Sequence, residues 1–70
     1  IDLSNLGKAY SSLRQYQQAL EYYQQALAIS RELKDRQAEG FDLSDVGNTF
    51  HRLGQYQQAI DHHQQALTIA

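Results

Sequence analysis

Three histidines, His51, His62 and His63, are the side chains of this sequence best suited to metal or acid–base chemistry. His62 and His63 are adjacent, so on a helix they point about 100° apart; a two-histidine metal site on one helix needs i,i+3 or i,i+4 spacing. His51 could join them from a neighbouring helix, but there is no Cys, and no Asp or Glu is clearly placed to complete a ligand set. Asp2, Asp42 and Asp45 fall where helices are expected to start, and carboxylates there complement exposed N–H groups. No nucleophile–base pair, phosphate loop or acid–base carboxylate pair stands at a workable spacing. Of the five tyrosines, Tyr10, Tyr16, Tyr22, Tyr23 and Tyr56, four read as core with a hydroxyl at the edge, and Tyr22 reads as the exposed one. Lys8 and Arg52 are single basic residues on polar faces, and solvated surface and partner contact fit them equally well. The expectation is a chain that is not an enzyme and holds no cofactor and no metal.

Composition narrows the classes further. The 70 residues carry a formal charge of −2 with both signs interspersed. A nucleic-acid binder usually concentrates basic residues to neutralise phosphates, so none is expected as a partner. No apolar run approaches the roughly 20 residues that span a bilayer, so no membrane partner is expected either. No signal peptide is visible. A Cys-free composition is compatible with the cytoplasm, which is the expected location. The chain opens on Ile1, not Met, which suggests an excerpt of a longer parent or a processed product. Chains this short bury only about 60 % of their unfolded surface, so the core is marginal.

The elements that position these residues come in two copies. Residues 1–30 laid over residues 41–70 agree at about half of the positions: IDLSNLGKAY over FDLSDVGNTF, SSLRQYQQAL over HRLGQYQQAI, EYYQQALAIS over DHHQQALTIA. RELKDRQAEG, residues 31–40, lies between them. The period is 40, and periods of 20–50 residues signal units that bury their apolar faces against one another. The first unit therefore spans 1–40 with its inter-repeat segment 31–40, and the second, incomplete, spans 41–70. Tyr22-Tyr23 aligns with His62-His63, so packing explains the histidine pair better than metal binding does.

Each unit reads as two helices. Leu3, Leu6, Tyr10 and Leu13 recur at helical spacing, as do Leu43, Val46, Phe50 and Leu53. Asp2 and Ser4 open the first of these helices; Asp42, Ser44 and Asp45 are expected to open its twin. The second helix of each unit carries the stripe Tyr16, Ala19, Leu20, Tyr23, Ala26, Leu27, or Tyr56, Ala59, Ile60, His63, Ala66, Leu67, with Gln on the outer face. Gly54 suits the left-handed position that ends a helix; Arg14 stands there in the first unit and should cost up to about 1 kcal/mol if it takes the same conformation. Gly7 and Gly47 lie inside helices, where Gly costs about 1 kcal/mol relative to Ala, so each implies a close approach of two helices.

Leu3-x-x-Leu6-Gly7-x-x-Tyr10, Tyr16-x-x-Ala19, Tyr23 and Ala26 resemble the tetratricopeptide repeat, and Leu43-x-x-Val46-Gly47-x-x-Phe50, Tyr56-x-x-Ala59 and Ala66 resemble it again. The usual closing Pro is missing, with Arg31 near its place. The period is 40 where the usual repeat has 34; such longer repeats resemble those of kinesin light chains, Pins-type adaptors and bacterial regulatory proteins. The resemblance implies an all-α fold, four helices in antiparallel helix-turn-helix pairs stacked as a right-handed solenoid. It also implies a protein-interaction scaffold that holds a peptide or helical segment of a partner in a concave groove. Carried over by position, the groove residues are Ser4, Asn5, Lys8, Ser11 and Ser12 in the first unit, and Ser44, Asp45, Asn48, His51 and Arg52 in the second. Asn48 matches an Asn that holds a peptide amide in related families; Lys8 stands at that place in the first unit.

Two repeats leave apolar ends: Leu3 and Leu6 at one, Ile60, His63, Leu67 and Ile69 at the other. Self-association through these ends is expected, and a structural, self-assembling repeat fragment, natural or engineered, is the alternative to the groove reading. A second route to association is exchange. Residues 31–40 hold no Pro and only Gly40, so the second and third helices could run on as one and swap between chains. A turn at residues 34–36 is the other arrangement. Within this segment Arg31–Asp35 and Glu32–Arg36 stand at pairing distance on a helix.

Overall fold

The computed structural model describes residues 2–69. The outermost residues of the two expected units, Ile1 and Ala70, lie outside the described residues. Four α-helices follow in order: α1 Leu3–Ser12, α2 Tyr16–Glu32, α3 Arg36–Arg52 and α4 Tyr56–Ile69. Each helix packs on the next, as short connections between antiparallel neighbours require. The result is a slab 30 × 30 × 13 Å, one helix layer thick.

Three turns of one design separate the helices. Leu13, Leu33 and Leu53 cap α1, α2 and α3 at their C-termini. The residue after each is left-handed: Arg14 at φ 63°, Lys34 at φ 56° and Gly54 at φ 79°. The residue after that reaches back to the third carbonyl from the helix end. Gln15 N donates to Tyr10 O at 2.9 Å, Asp35 N to Ser30 O at 3.0 Å and Gln55 N to Phe50 O at 2.9 Å. With the companion bonds Arg14 N to Ser11 O, Lys34 N to Arg31 O and Gly54 N to His51 O, each is a Schellman motif that satisfies carbonyls left open by the helix end.

The turn at Lys34 decides between the two arrangements left open for residues 31–40. α2 and α3 are separate, and no long helix is left to exchange. A strong breaker was not required. Leu33-Lys34-Asp35 supplies the closing hydrogen bonds, and the Asp35 side chain accepts from Ala38 N at 3.1 Å to start α3, a cap that stabilises by about 1 kcal/mol. Two more expectations change with it. α3 begins at Arg36, so Asp42, Ser44 and Asp45 sit inside the helix and open nothing. Arg31 and Arg36 both turn to Glu39, at 3.2 and 3.7 Å, because the chain reverses between them and the i,i+4 geometry of a continuous helix is lost. At the other end Asp2 does cap α1, accepting from Ser4 N at 2.9 Å.

The core lies between α2 and α3. Ala19, Leu20, Tyr23 and Leu27 of α2 meet Leu43 and Val46 of α3, with Tyr10, Phe50, Leu53, Ala66 and Ile69 packed around them. Gly7 and Gly47 allow the close approaches that their helix positions imply. A Cβ on Gly7 would stand 2.6–2.9 Å from the Tyr23 ring, and one on Gly47 would stand 2.8–3.0 Å from the His63 ring. Tyr23 and His63 thus do the same packing job in the two units, each ring seated on a bare helix backbone.

Candidate functional site

A polar cavity of about 750 Å³ opens where α1, α2 and α3 meet, lined by Ser11, Tyr23, Asp45, Asn48, Thr49, His51 and Arg52. Helical spacing puts Asp45, Asn48 and Arg52 on one face of α3. Asn48, His51 and Arg52 are exposed and Asp45 is half-buried, while Tyr23 and Thr49 are buried. Thr49 uses its hydroxyl internally, donating to Asp45 O at 2.8 Å. His51 meets the Tyr56 ring edge-on, with centroids 5.1 Å apart, so the rim of the cavity runs onto α4.

Charge in the cavity is uneven. Burial pushes the Asp45 carboxyl above its ordinary range; Lys8 pulls it back down, and Asp42 pushes it up again. Burial also raises the Tyr23 phenol, and Asp45 adds to that. The cavity therefore combines one reluctant carboxylate with a guanidinium, an imidazole, an amide and hydroxyls. Such a set reads hydrogen-bonding groups of both kinds. It lacks the convergent nucleophile, base and oxyanion donors that acyl or phosphoryl transfer would need.

The remaining groove candidates are dispersed. Asn5, Lys8 and Ser12 are exposed on α1. Ser4 turns inward, donating to Asp42 Oδ1 at 3.3 Å. Ser44, its counterpart in the second unit, lines a different, apolar cavity. Tyr23 and Thr49 belong to the polar cavity and were not among the residues expected there. The stripe pattern marked Tyr23 as core, which it is, but pattern alone does not say that a core ring also walls a cavity.

Below this cavity lies a buried polar contact that no spacing rule announced. Asp42 Oδ2 stands 2.5 Å from Ser30 Oγ, and both residues are buried. Ser30 Oγ also stands 3.1 Å from Ala26 O. One hydroxyl carries one proton, and a carboxylate is the stronger acceptor, so the proton goes to Asp42. Asp42 thereby ties α2 and, through Ser4, α1 to the middle of α3.

The histidine pair is occupied with packing. His62 Nδ1 donates to the Gln58 carbonyl at 2.8 Å, since a carbonyl can only accept. Its ring tilts against Phe50, with centroids 5.1 Å apart; in the first unit Tyr22 stacks on Tyr10 at 5.3 Å. Tyr22 is accordingly half-buried, and Tyr56 is the more exposed tyrosine. Among the described residues no three His, Cys, Asp or Glu side chains gather as a metal site would need. No described helix is long and apolar enough to cross a membrane.

The tetratricopeptide-repeat family model matches residues 3–70, nearly the whole chain. The chain belongs to the tetratricopeptide-repeat family. No curated protein sequence and no solved structure matches it. Tetratricopeptide repeats generally mediate protein–protein interaction, and the family is a non-catalytic scaffold. For this member, α1 and α3 are the first helices of the two repeats, and α2 and α4 the second.

Proposed function

We propose that the chain is a protein-binding module. Its two repeats, residues 1–40 and 41–70, present a groove on α1 and α3 that holds a peptide or helical segment of a partner protein. The observation that carries this reading is the polar cavity, where Asp45, Asn48, His51 and Arg52 converge with Ser11 above a buried Tyr23. Asn5, Lys8 and Ser12 extend the same polar surface along α1, with Ser4 at its inner edge. Asn48 can donate to and accept from a peptide backbone through one amide, and Arg52 offers a planar fork to a carboxylate or carbonyl. The partner is a protein, not a nucleic acid or a membrane, in keeping with a net charge of −2 and the lack of a basic stripe. The reading is of a binding protein with no enzymatic activity. A cytoplasmic location belongs to the same proposal and rests on the disulfide-free composition.

The test is a peptide-display selection on the immobilised chain, followed by calorimetric titration of the selected peptides. Asn48→Ala and Arg52→Ala should each weaken binding about tenfold, the loss of about 1.4 kcal/mol that one good hydrogen-bonded contact provides, with helicity unchanged. Selected peptides that bind both variants as well as the parent chain would overturn the groove as the site.

A further inference from the structure

Among the described residues the carboxylates of this chain are engaged or fully hydrated, with one exception. Asp2 and Asp35 cap helices, accepting from Ser4 N and Ala38 N. Asp42 accepts from Ser30 and Ser4. Glu39 accepts from Arg31, with Arg36 beside it, and Asp61 accepts from Gln57. Glu21 and Glu32 are exposed, so water serves them. Asp45 is half-buried in the wall of the polar cavity. Only its backbone carbonyl is bonded, by Thr49; among the described residues its carboxylate has neither a hydrogen-bond donor nor a cation at ion-pairing distance. The first repeat carries a neutral, exposed Asn5 at the same place. The charge therefore stands only where the cavity opens, and burial disfavours it there. A carboxylate can only accept, so what Asp45 lacks is a donor, and a cationic donor best offsets its desolvation.

The chain's own cations do not fill that role. Lys8 on α1 is exposed and acts on Asp45 across a gap. Arg52 is exposed too and stands two turns further along α3. The other groups facing Asp45 are Asp42 and His51 on α3 and the Tyr23 phenol of α2: a like charge, an exposed imidazole and a hydroxyl. Along this face of α3, Asp45, Asn48 and Arg52 make a stripe of carboxylate, amide and guanidinium. Seven residues of helix separate its ends by about 10 Å. The exposed amide in the middle suits a partner whose backbone C=O and N–H groups are open, and a helix has already paired its own. An extended polyproline-II segment keeps them open. It also returns a side chain to the same face every third residue, after about 9 Å.

We infer that the cavity recognises an extended partner segment that carries a basic residue and, three positions away, an acidic one. The basic side chain lies on Asp45, the acidic one on Arg52, and the backbone between them on Asn48. The inference rests on the groove reading and names the chemistry of its partner. Recognition comes from the spacing of two opposite charges, and their order sets the direction in which the segment runs along α3.

The test is a titration of the capped peptide Ala-Lys-Ala-Ala-Glu-Ala into the chain, with the Asp45 carboxyl and the Asn48 side-chain amide followed by NMR. The Asp45 midpoint should fall on binding, because an ammonium beside a carboxylate favours its charged form. Replacing the peptide's Lys or its Glu by Gln should each weaken binding about fivefold. Asp45→Asn, which installs the residue of the first repeat, should erase the preference for Lys over Gln and keep that for Glu. Arg52→Gln should do the reverse. Peptides from the display selection should show a basic residue three positions from an acidic one. Binding that shifts Asn48 but is indifferent to both peptide charges would overturn the inference and leave the groove standing. Binding that leaves Asp45, Asn48 and Arg52 unmoved would overturn both. Selected peptides with their charges seven apart would mean a helical partner, against the extended one argued here.

Discussion

At the scale of residues, identical sequence positions are held by different physics in the two repeats. Gly7 and Gly47 share a place, but the ring over Gly7 is a buried tyrosine and the ring over Gly47 is a half-exposed histidine beside an open cavity. Gly7→Ala gains about 1 kcal/mol of helix propensity and displaces the buried Tyr23 ring from its packing in the cluster with Leu20, Leu27, Leu43 and Val46, which costs about 1–3 kcal/mol. A net loss in urea denaturation is expected. Gly47→Ala should be neutral or gain up to about 1 kcal/mol, since His63 can move off. Equal losses in both variants would contradict this account. Asp45 differs from its counterpart Asn5 by a charge that burial disfavours. Its native pKa is raised, so the folded chain holds the proton more tightly, and stability falls as pH rises from the ordinary carboxylate value through the raised one. Asp45→Asn should flatten that part of the stability curve and stabilise the chain at neutral pH. Lys8→Met should move the Asp45 midpoint higher still, as followed by carboxyl NMR titration. A midpoint at or below that of free aspartate would show that Lys8 outweighs burial.

At the scale of elements, the helices were legible and one of their borders was not. Stripe periodicity placed all four helices, and the interior glycines announced the close approaches at Tyr23 and His63. The turn between α2 and α3 was left open beside a fused helix because breakers were sought, whereas the signal is a leucine followed by a residue that turns left-handed, at Leu13-Arg14, Leu33-Lys34 and Leu53-Gly54. The role of Asp42 was hidden for a related reason. It depends on Ser30, twelve residues back on another helix, and on α3 starting at Arg36, and neither is a local property. In the candidate site, the face shared by Asp45, Asn48 and Arg52 followed from spacing on one helix, but the walls from Tyr23 and Thr49 needed the fold. The shared turn design yields a prediction. Arg14 and Lys34 hold positive φ with a Cβ, so Arg14→Gly and Lys34→Gly should each raise stability by up to about 1 kcal/mol. Gly54 has nothing near its missing Cβ, so Gly54→Ala should cost a similar amount through backbone strain alone. A thermal midpoint lowered by Lys34→Gly would mean that the lysine side chain, not the backbone, stabilises this turn.

At the scale of the whole molecule, the slab has an interior pair and two outer helices. α2 and α3 are each packed on both sides, while α1 and α4 have one neighbouring helix each. In α4 only Ala59 is buried, and in α1 only Gly7, so these helices contribute less apolar burial and should open at lower free-energy cost. Hydrogen exchange should therefore show the slowest amides in α2 and α3, around Leu20–Leu27 and Leu43–Val46. The amides from His63 to Ile69 should exchange well before them. If α4 is as protected as α2, its exposed stripe is not a weak point, and uniform cooperativity would replace the picture of an interior pair with loosely held outer helices.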